Sequence, residues 1–101
     1  MATTSKALFR GAATTTVGTT LYTTPAATTT VVTSIVVVNT AGSAATFTLG
    51  LAGTSLATTV ALGANSITTL DIKQTLTATQ TITGGASATT VTFHISGVEI
   101  A

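Results

Sequence analysis

The chain has 101 residues, no cysteine, 45% hydrophobic side chains and 5% charged ones, for a formal net charge of +1. That length makes one domain with a modest core, the lack of cysteine excludes disulfides and thiolate chemistry, and three basic residues cannot form the stripe that nucleic acid requires. Threonine is the commonest residue, at 29 positions. It is β-branched, favours strands and crowds the preceding turn of a helix, so the composition points to an all-β protein.

Residues 1–5 read as a polar end. Lys6 to Arg10 predicts a short first strand, with Ala7 and Phe9 on one face and Leu8 on the other. Gly11 to Gly18 is small and threonine-rich, a linker or an extended arm. The expected division is therefore an N-terminal arm with an edge strand over 1–18 and a β-sandwich domain over 19–101. The first eleven residues hold no apolar run of signal-peptide length. The longest aliphatic run, Ile35 to Val38, is far short of the roughly 20 residues that span a membrane, so no membrane insertion is expected.

Leu21-Tyr22-Thr23 predicts a short strand closed by Pro25, which cannot donate to a ladder and suits an edge or turn. Thr28 to Asn39 is the strongest element. Its valines and isoleucine make it apolar on both faces, as in a central strand or one covered by a neighbouring subunit. Thr40 to Ser43 predicts a turn. Ala45 to Leu51 alternates, with Phe47, Leu49 and Leu51 on one face. Leu56 to Leu62 alternates again, with Leu56, Val60 and Leu62 inward, and Gly63 to Ser66 reads as a hairpin loop. In Ile67 to Ile72, Leu70 and Ile72 share a face. Leu76 is expected to plug the core from a connection. Thr79 to Thr83 predicts a strand around Ile82, Gly84-Gly85 a turn, and Thr89 to Ser96 a strand with Val91, Phe93 and Ile95 inward. Gly97 is a candidate bulge. Seven to eight short strands of this kind predict an all-β fold, a single antiparallel β-sandwich, Ig-like or jelly-roll.

Few residues carry chemistry. His94 is the lone histidine and Asp71 its one candidate carboxylate partner for acid–base work, but no serine stands out as a nucleophile by spacing. One His, one Asp and one Glu show no metal-like spacing, so neither metal nor cofactor is expected. Asp71 and Lys73, two apart, predict an exposed ion pair, or pairing with Arg10 or Glu99 of a neighbouring copy. The alternating Thr75, Thr77, Thr79, Thr81 and Thr83 suggest a flat hydroxyl array of the kind that orders water. Without a constant repeat, the pattern reads instead as a threonine-rich outer sheet face. Lys6, Leu8, Phe9, Arg10 and Tyr22 are the candidate assembly residues, the first four as an edge strand or as an arm that docks by strand addition. So few charges leave little to hold copies apart, which predicts self-association to a trimer or larger.

Several segments resemble small structural proteins of tailed bacteriophages, especially those of actinobacterial phages. They are Lys6-Ala-Leu-Phe-Arg-Gly-Ala-Ala, Thr20-Leu-Tyr-Thr-Thr-Pro-Ala-Ala-Thr-Thr, Ile35-Val-Val-Val-Asn-Thr, Ala44-Ala-Thr-Phe-Thr-Leu and Thr92-Phe-His-Ile-Ser-Gly-Val-Glu-Ile. The resemblance covers most of the chain from residue 6 onward, and brings no catalytic residues. It implies a non-enzymatic part of the virion, assembled in the host cytoplasm, with other phage structural proteins of tail or capsid as partners. The expected place is the tail or tail tip, the alternative a capsid decoration protein. A host-surface or carbohydrate-binding module is the remaining class. The shortage of aromatics (Phe9, Tyr22, Phe47 and Phe93, with no Trp) lowers it.

Overall fold

A computed structural model describes residues 3–16 and 18–101; residues 1, 2 and 17, all in the segment read as an arm, lie outside it. Nine strands follow one another: β1 (Thr3–Ala12), β2 (Thr20–Thr23), β3 (Thr29–Asn39), β4 (Ala45–Leu51), β5 (Thr54–Leu62), β6 (Ser66–Leu70), β7 (Gln74–Leu76), β8 (Thr81–Ala86) and β9 (Val91–Ile100). Sheet A has the order β1-β9-β3-β6, with β7 also along β3, and sheet B has the order β2-β8-β4-β5. Every described pairing is antiparallel. β6 and β7 occupy one strand position beside β3, interrupted by Asp71, Ile72 and Lys73. Counted as one, they bring the total to eight.

The β4–β5 hairpin and the β6–β7 break keep the chain in its sheet. Every other connection crosses to the opposite sheet. Two interleaved four-stranded sheets of this order are a jelly roll. The strand order thus selects jelly-roll over Ig-like topology, which the hydrophobic pattern left open.

Inner faces of the two sheets make the core. Val91, Phe93 and Ile95 of β9, Val32, Ile35 and Val37 of β3, and Phe47 and Leu49 of β4 are essentially inaccessible. Phe47 and Phe93 meet edge to face across the sheets, with ring centroids 6.4 Å apart. On β3 the inward positions change from odd (Asn39, Val37, Ile35) to even (Val32, Thr30). A bulge between Val32 and Ser34 makes that change. Opposite it, β9 alternates without interruption, and on its far side β1 bulges between Ala7 and Phe9. Gly97 sits between the two bulges. A Cβ there would press into the Val31 carbonyl oxygen and lie 2.9 Å from Leu8 Cδ1. Glycine is thus required by close approach, and the neighbouring strands bulge rather than Gly97's own.

Other expectations are corrected. The β1 bulge turns both Leu8 and Phe9 toward the core, so they do not occupy opposite faces. Gly84 and Gly85 are buried within β8, not in a turn. A Cβ on Gly84 would lie 2.7 Å from Leu49 Cδ2, so the glycine makes room for the neighbouring strand. β8 begins at Thr81, because Thr79 takes φ 68° in the connection before it. Gln74 to Leu76 pairs with β3 as a strand, with Leu76 in the core. Leu62 points inward, but Leu56 and Val60 are 36% and 37% exposed. β5 has two register shifts and Thr59 at φ 49°, which spoil its alternation. Gly63 to Asn65 links sheet B to sheet A and is no hairpin loop.

Candidate assembly surface

The sequence-expected assembly residues separate in space. Leu8 is a core residue, and Phe9 is half-buried against the core. Leu8 is therefore used within the chain, and Phe9 is used there in part. Tyr22, from β2 of sheet B, reaches across to β9 and β3 of sheet A. Its hydroxyl donates to the Glu99 carboxylate and lies 2.9 Å from the Thr30 hydroxyl. Lys6 Nζ completes the cluster, 3.4 Å from Glu99 Oε1. This group closes the space between the sheets beside Gly97. Burial, then the Glu99 hydrogen bond, raises the Tyr22 phenol above its ordinary value. Arg10 alone of the five is exposed without a partner in the described residues.

Asn39 ties the opposite end. Its amide nitrogen donates to the carbonyls of Ser43 (2.9 Å) and Gly63 (3.1 Å). Its amide oxygen accepts from the Ala41 N–H (3.1 Å) and the Thr90 hydroxyl (3.4 Å). One inaccessible side chain therefore satisfies three loops that join the sheets. Asn39 is no candidate by sequence, and Glu99 is one only as a metal ligand or a neighbour's ion-pair partner, not as the partner of Tyr22 and Lys6. The one signal was a single polar residue closing a valine run, and for Glu99 a lone acid between apolar residues.

The four sheet edges share a property. β1 carries a bulge and the inward-turned Lys6. β2 has four residues and ends two before Pro25. β5 has two register shifts. The β6–β7 edge is broken by Asp71 and Lys73, whose ion pair spans 3.4 Å. Bulges, short strands, proline and charges are the devices that block strand addition. Residues 3–12 lie along β9 throughout, as an edge of the sandwich.

Outer faces differ. On sheet A the register builds rows across the strands: Ala12–Thr92–Val38–Ile67, then Arg10–His94–Val36–Thr69, then Ala7–Ser96–Ser34, then Ser5–Val98–Val31–Thr75. Four half-buried valines share the centre with Thr92, His94, Ser96 and Ser34, and Ile67 is 68% exposed at one corner. Sheet B turns out Thr46, Thr48 and Gly50 from β4 and Thr81 and Thr83 from β8. The threonines that alternate from 75 to 83 do not form one flat array, because they pass from sheet A to sheet B.

His94 and Asp71 stand on either side of β3, with Asp71 two residues past the Thr69 that shares the His94 row, roughly 12 Å apart at the usual strand spacing and rise. No described hydrogen bond joins them. Among the described residues no three His, Cys, Asp or Glu side chains gather as metal ligands. Shallow hollows mark the surface among the described residues. One, of about 260 Å³, lies between Val38, Asn39, Thr40 and Asn65–Ile67. Another, of about 170 Å³, is lined by threonine, serine and glycine with Leu49. Neither has an aromatic wall.

Fold and surface define a jelly-roll sandwich with blocked edges and weakly charged outer faces, that of sheet A mixing valine with serine and threonine. No family model, no curated protein and no solved structure matches the chain.

Proposed function

We propose that this chain is a non-enzymatic structural protein of a tailed-phage particle, homo-oligomeric and attached to the tail or tail tip. The observation that carries the structural reading is the outer face of sheet A. Its outward valines and the 68% exposed Ile67 give it apolar area that a standing contact in an assembly would bury. The blocked edges keep that contact from running on into open-ended strand pairing. The assignment to a phage rests on the sequence segments that resemble virion proteins. Partners are other copies and other structural proteins of the particle, with no nucleic acid or membrane among them.

Capsid decoration is the second reading. What favours it is the jelly-roll strand order, a topology that recurs in viral capsid domains. That is an analogy of fold, since jelly rolls serve other functions too. The hollows, which have no aromatic wall, weigh against a carbohydrate-binding module.

Quantitative mass spectrometry of purified particles, with the major capsid protein as reference, tests the proposal. A handful to a few dozen copies per particle supports a tail-tip part. Hundreds in simple ratio to capsid subunits supports decoration of the shell or a coat along the tail tube. Absence from the particle overturns the virion reading.

A further inference from the structure

We propose that two copies of this chain pack face to face through the outer surface of sheet A, about a two-fold axis parallel to the strands, with Arg10 of each copy reaching Asp71 of the other. The inference rests on the assembly reading above only in taking a second copy as the occupant. Three observations carry it.

First, the four edges are blocked, so the faces remain for contact. Of the two faces, sheet B turns out mainly threonine from β4 and β8, with Leu56 and Val60 exposed on its edge strand β5, whereas sheet A carries the half-buried Val31, Val36, Val38 and Val98 across its central strands and the exposed Ile67 beside them. Apolar area is the main drive for association, so sheet A is the contact face.

Second, the charges choose the partner and the axis. Arg10 lies on β1, at one edge of sheet A, and Asp71 and Lys73 lie at the opposite edge. A two-fold axis parallel to the strands places β1 of one copy over the β6–β7 edge of the other. Arg10 shares its row with Thr69, and Asp71 is two residues further along, about 7 Å at the usual rise. Asp71 is the first residue past β6, two positions beyond the outward-facing Thr69, and is exposed. Across packed sheets about 10 Å apart, that offset is within the combined length of an arginine and an aspartate. The symmetry makes the pair twice. The perpendicular axis would stack β1 on β1 and leave Arg10 beside its own kind. The Asp71–Lys73 pair, with both side chains largely exposed, offers little resistance to sharing Asp71 with Arg10.

Third, the size is adequate. The molecule measures 46 × 21 × 18 Å, and its broad flank is comparable to the roughly 800 Å² per partner of a stable interface. Over β9 and β3 the same symmetry sets His94 of one copy above Val36 of the other, so no like charges meet at the centre.

Light scattering on the full chain at 10–100 µM, roughly the range in which a modest interface is populated, is the first test. A dimer, or an even multiple built from it, is expected; this is a smaller unit than the trimer suggested by the charge deficit. A monomer or a clean trimer overturns the pairing. Val36→Lys should dissociate the pair, while Thr48→Lys on sheet B leaves it intact, with circular dichroism checking that both stay folded. Arg10→Asp should weaken association about tenfold or more, and Arg10→Asp with Asp71→Arg should restore most of the loss. Dissociation by Val36→Lys without rescue by the charge swap overturns the assigned axis. If Val36→Lys fails to fold, the charge swap decides alone. A monomer leaves the particle measurement standing, and absence from particles leaves the pairing standing, so the two failures are distinguishable.

Discussion

Asn39 shows how much one polar side chain can hold in a chain with few of them. Its four hydrogen bonds reach Ala41, Ser43, Gly63 and Thr90, in three separate loops. Asn39→Ala would take the Asn39 partner from the Ser43 carbonyl and the Ala41 N–H, leave the Gly63 carbonyl with the Ser66 hydroxyl alone, and empty an inaccessible side-chain position. The expected loss is about 2–4 kcal/mol by urea denaturation, because each orphaned group carries its own desolvation cost. Thr40→Ala, at an exposed position nearby, is expected to cost under about 1 kcal/mol. Tyr22 supplies a second prediction. Its phenol is raised, by burial first and by Glu99 next, above the value it has in the unfolded chain. A raised folded value gives stability that is fully present below the unfolded tyrosine value near 10 and is lost as pH climbs through the folded one. Thermal melts from pH 8 to 12 should therefore fall more steeply for the native chain than for Tyr22→Phe. As Tyr22 is the single tyrosine, its ultraviolet absorbance titrates it directly.

At the scale of elements, the two bulges flanking Gly97 explain more of the sandwich than any regular stretch. They let β3 and β1 change inward parity beside an unbroken β9. Gly97→Ala presses a methyl group against the Val31 carbonyl, which belongs to the backbone of a central strand and cannot turn aside. The expected cost is about 2–3 kcal/mol, or a fall of roughly 10 °C or more in melting temperature for a domain of this size. A loss below about 0.5 kcal/mol would mean that β3 can give way. Clean alternation made β4 and β9 legible: Phe47, Leu49 and Leu51, and Val91, Phe93 and Ile95, all face inward as the period predicts. β5 failed the same test. Its apolar spacing is as regular, but two extra residues sit against β4, and no letter in the sequence marks where a bulge falls. Gly84 and Gly85 misled for a related reason. A glycine pair suits a turn, yet it equally suits a strand that must let Leu49 and Leu21 approach.

The whole molecule depends on joining its ends. β1 and β9, the first and last strands, run side by side over nine register pairs. This changes the meaning of the N-terminal segment. Removal of residues 1–11 would strip β9 of a partner and take Leu8 and Phe9 from the core. The truncated chain should lose its cooperative thermal transition. A truncated chain that melts cooperatively within about 5 °C of the full one would return residues 1–11 to the role of a detachable arm.

The sequence by itself determined that the protein is all-β and a sandwich, and it named most of the core, because threonine and valine in period-two runs have few other stable arrangements. It exposed the charge deficit, and it placed Asp71 beside Lys73. The tertiary structure alone decided that the sandwich is a jelly roll, that Lys6 and Tyr22 meet at Glu99, and that Arg10 and Asp71 stand at opposite edges of sheet A. The physical reason is range. Alternation records which side of a strand is dry. Strand order, bulge position and the pairing of distant charges are set by packing between segments that lie far apart in the chain.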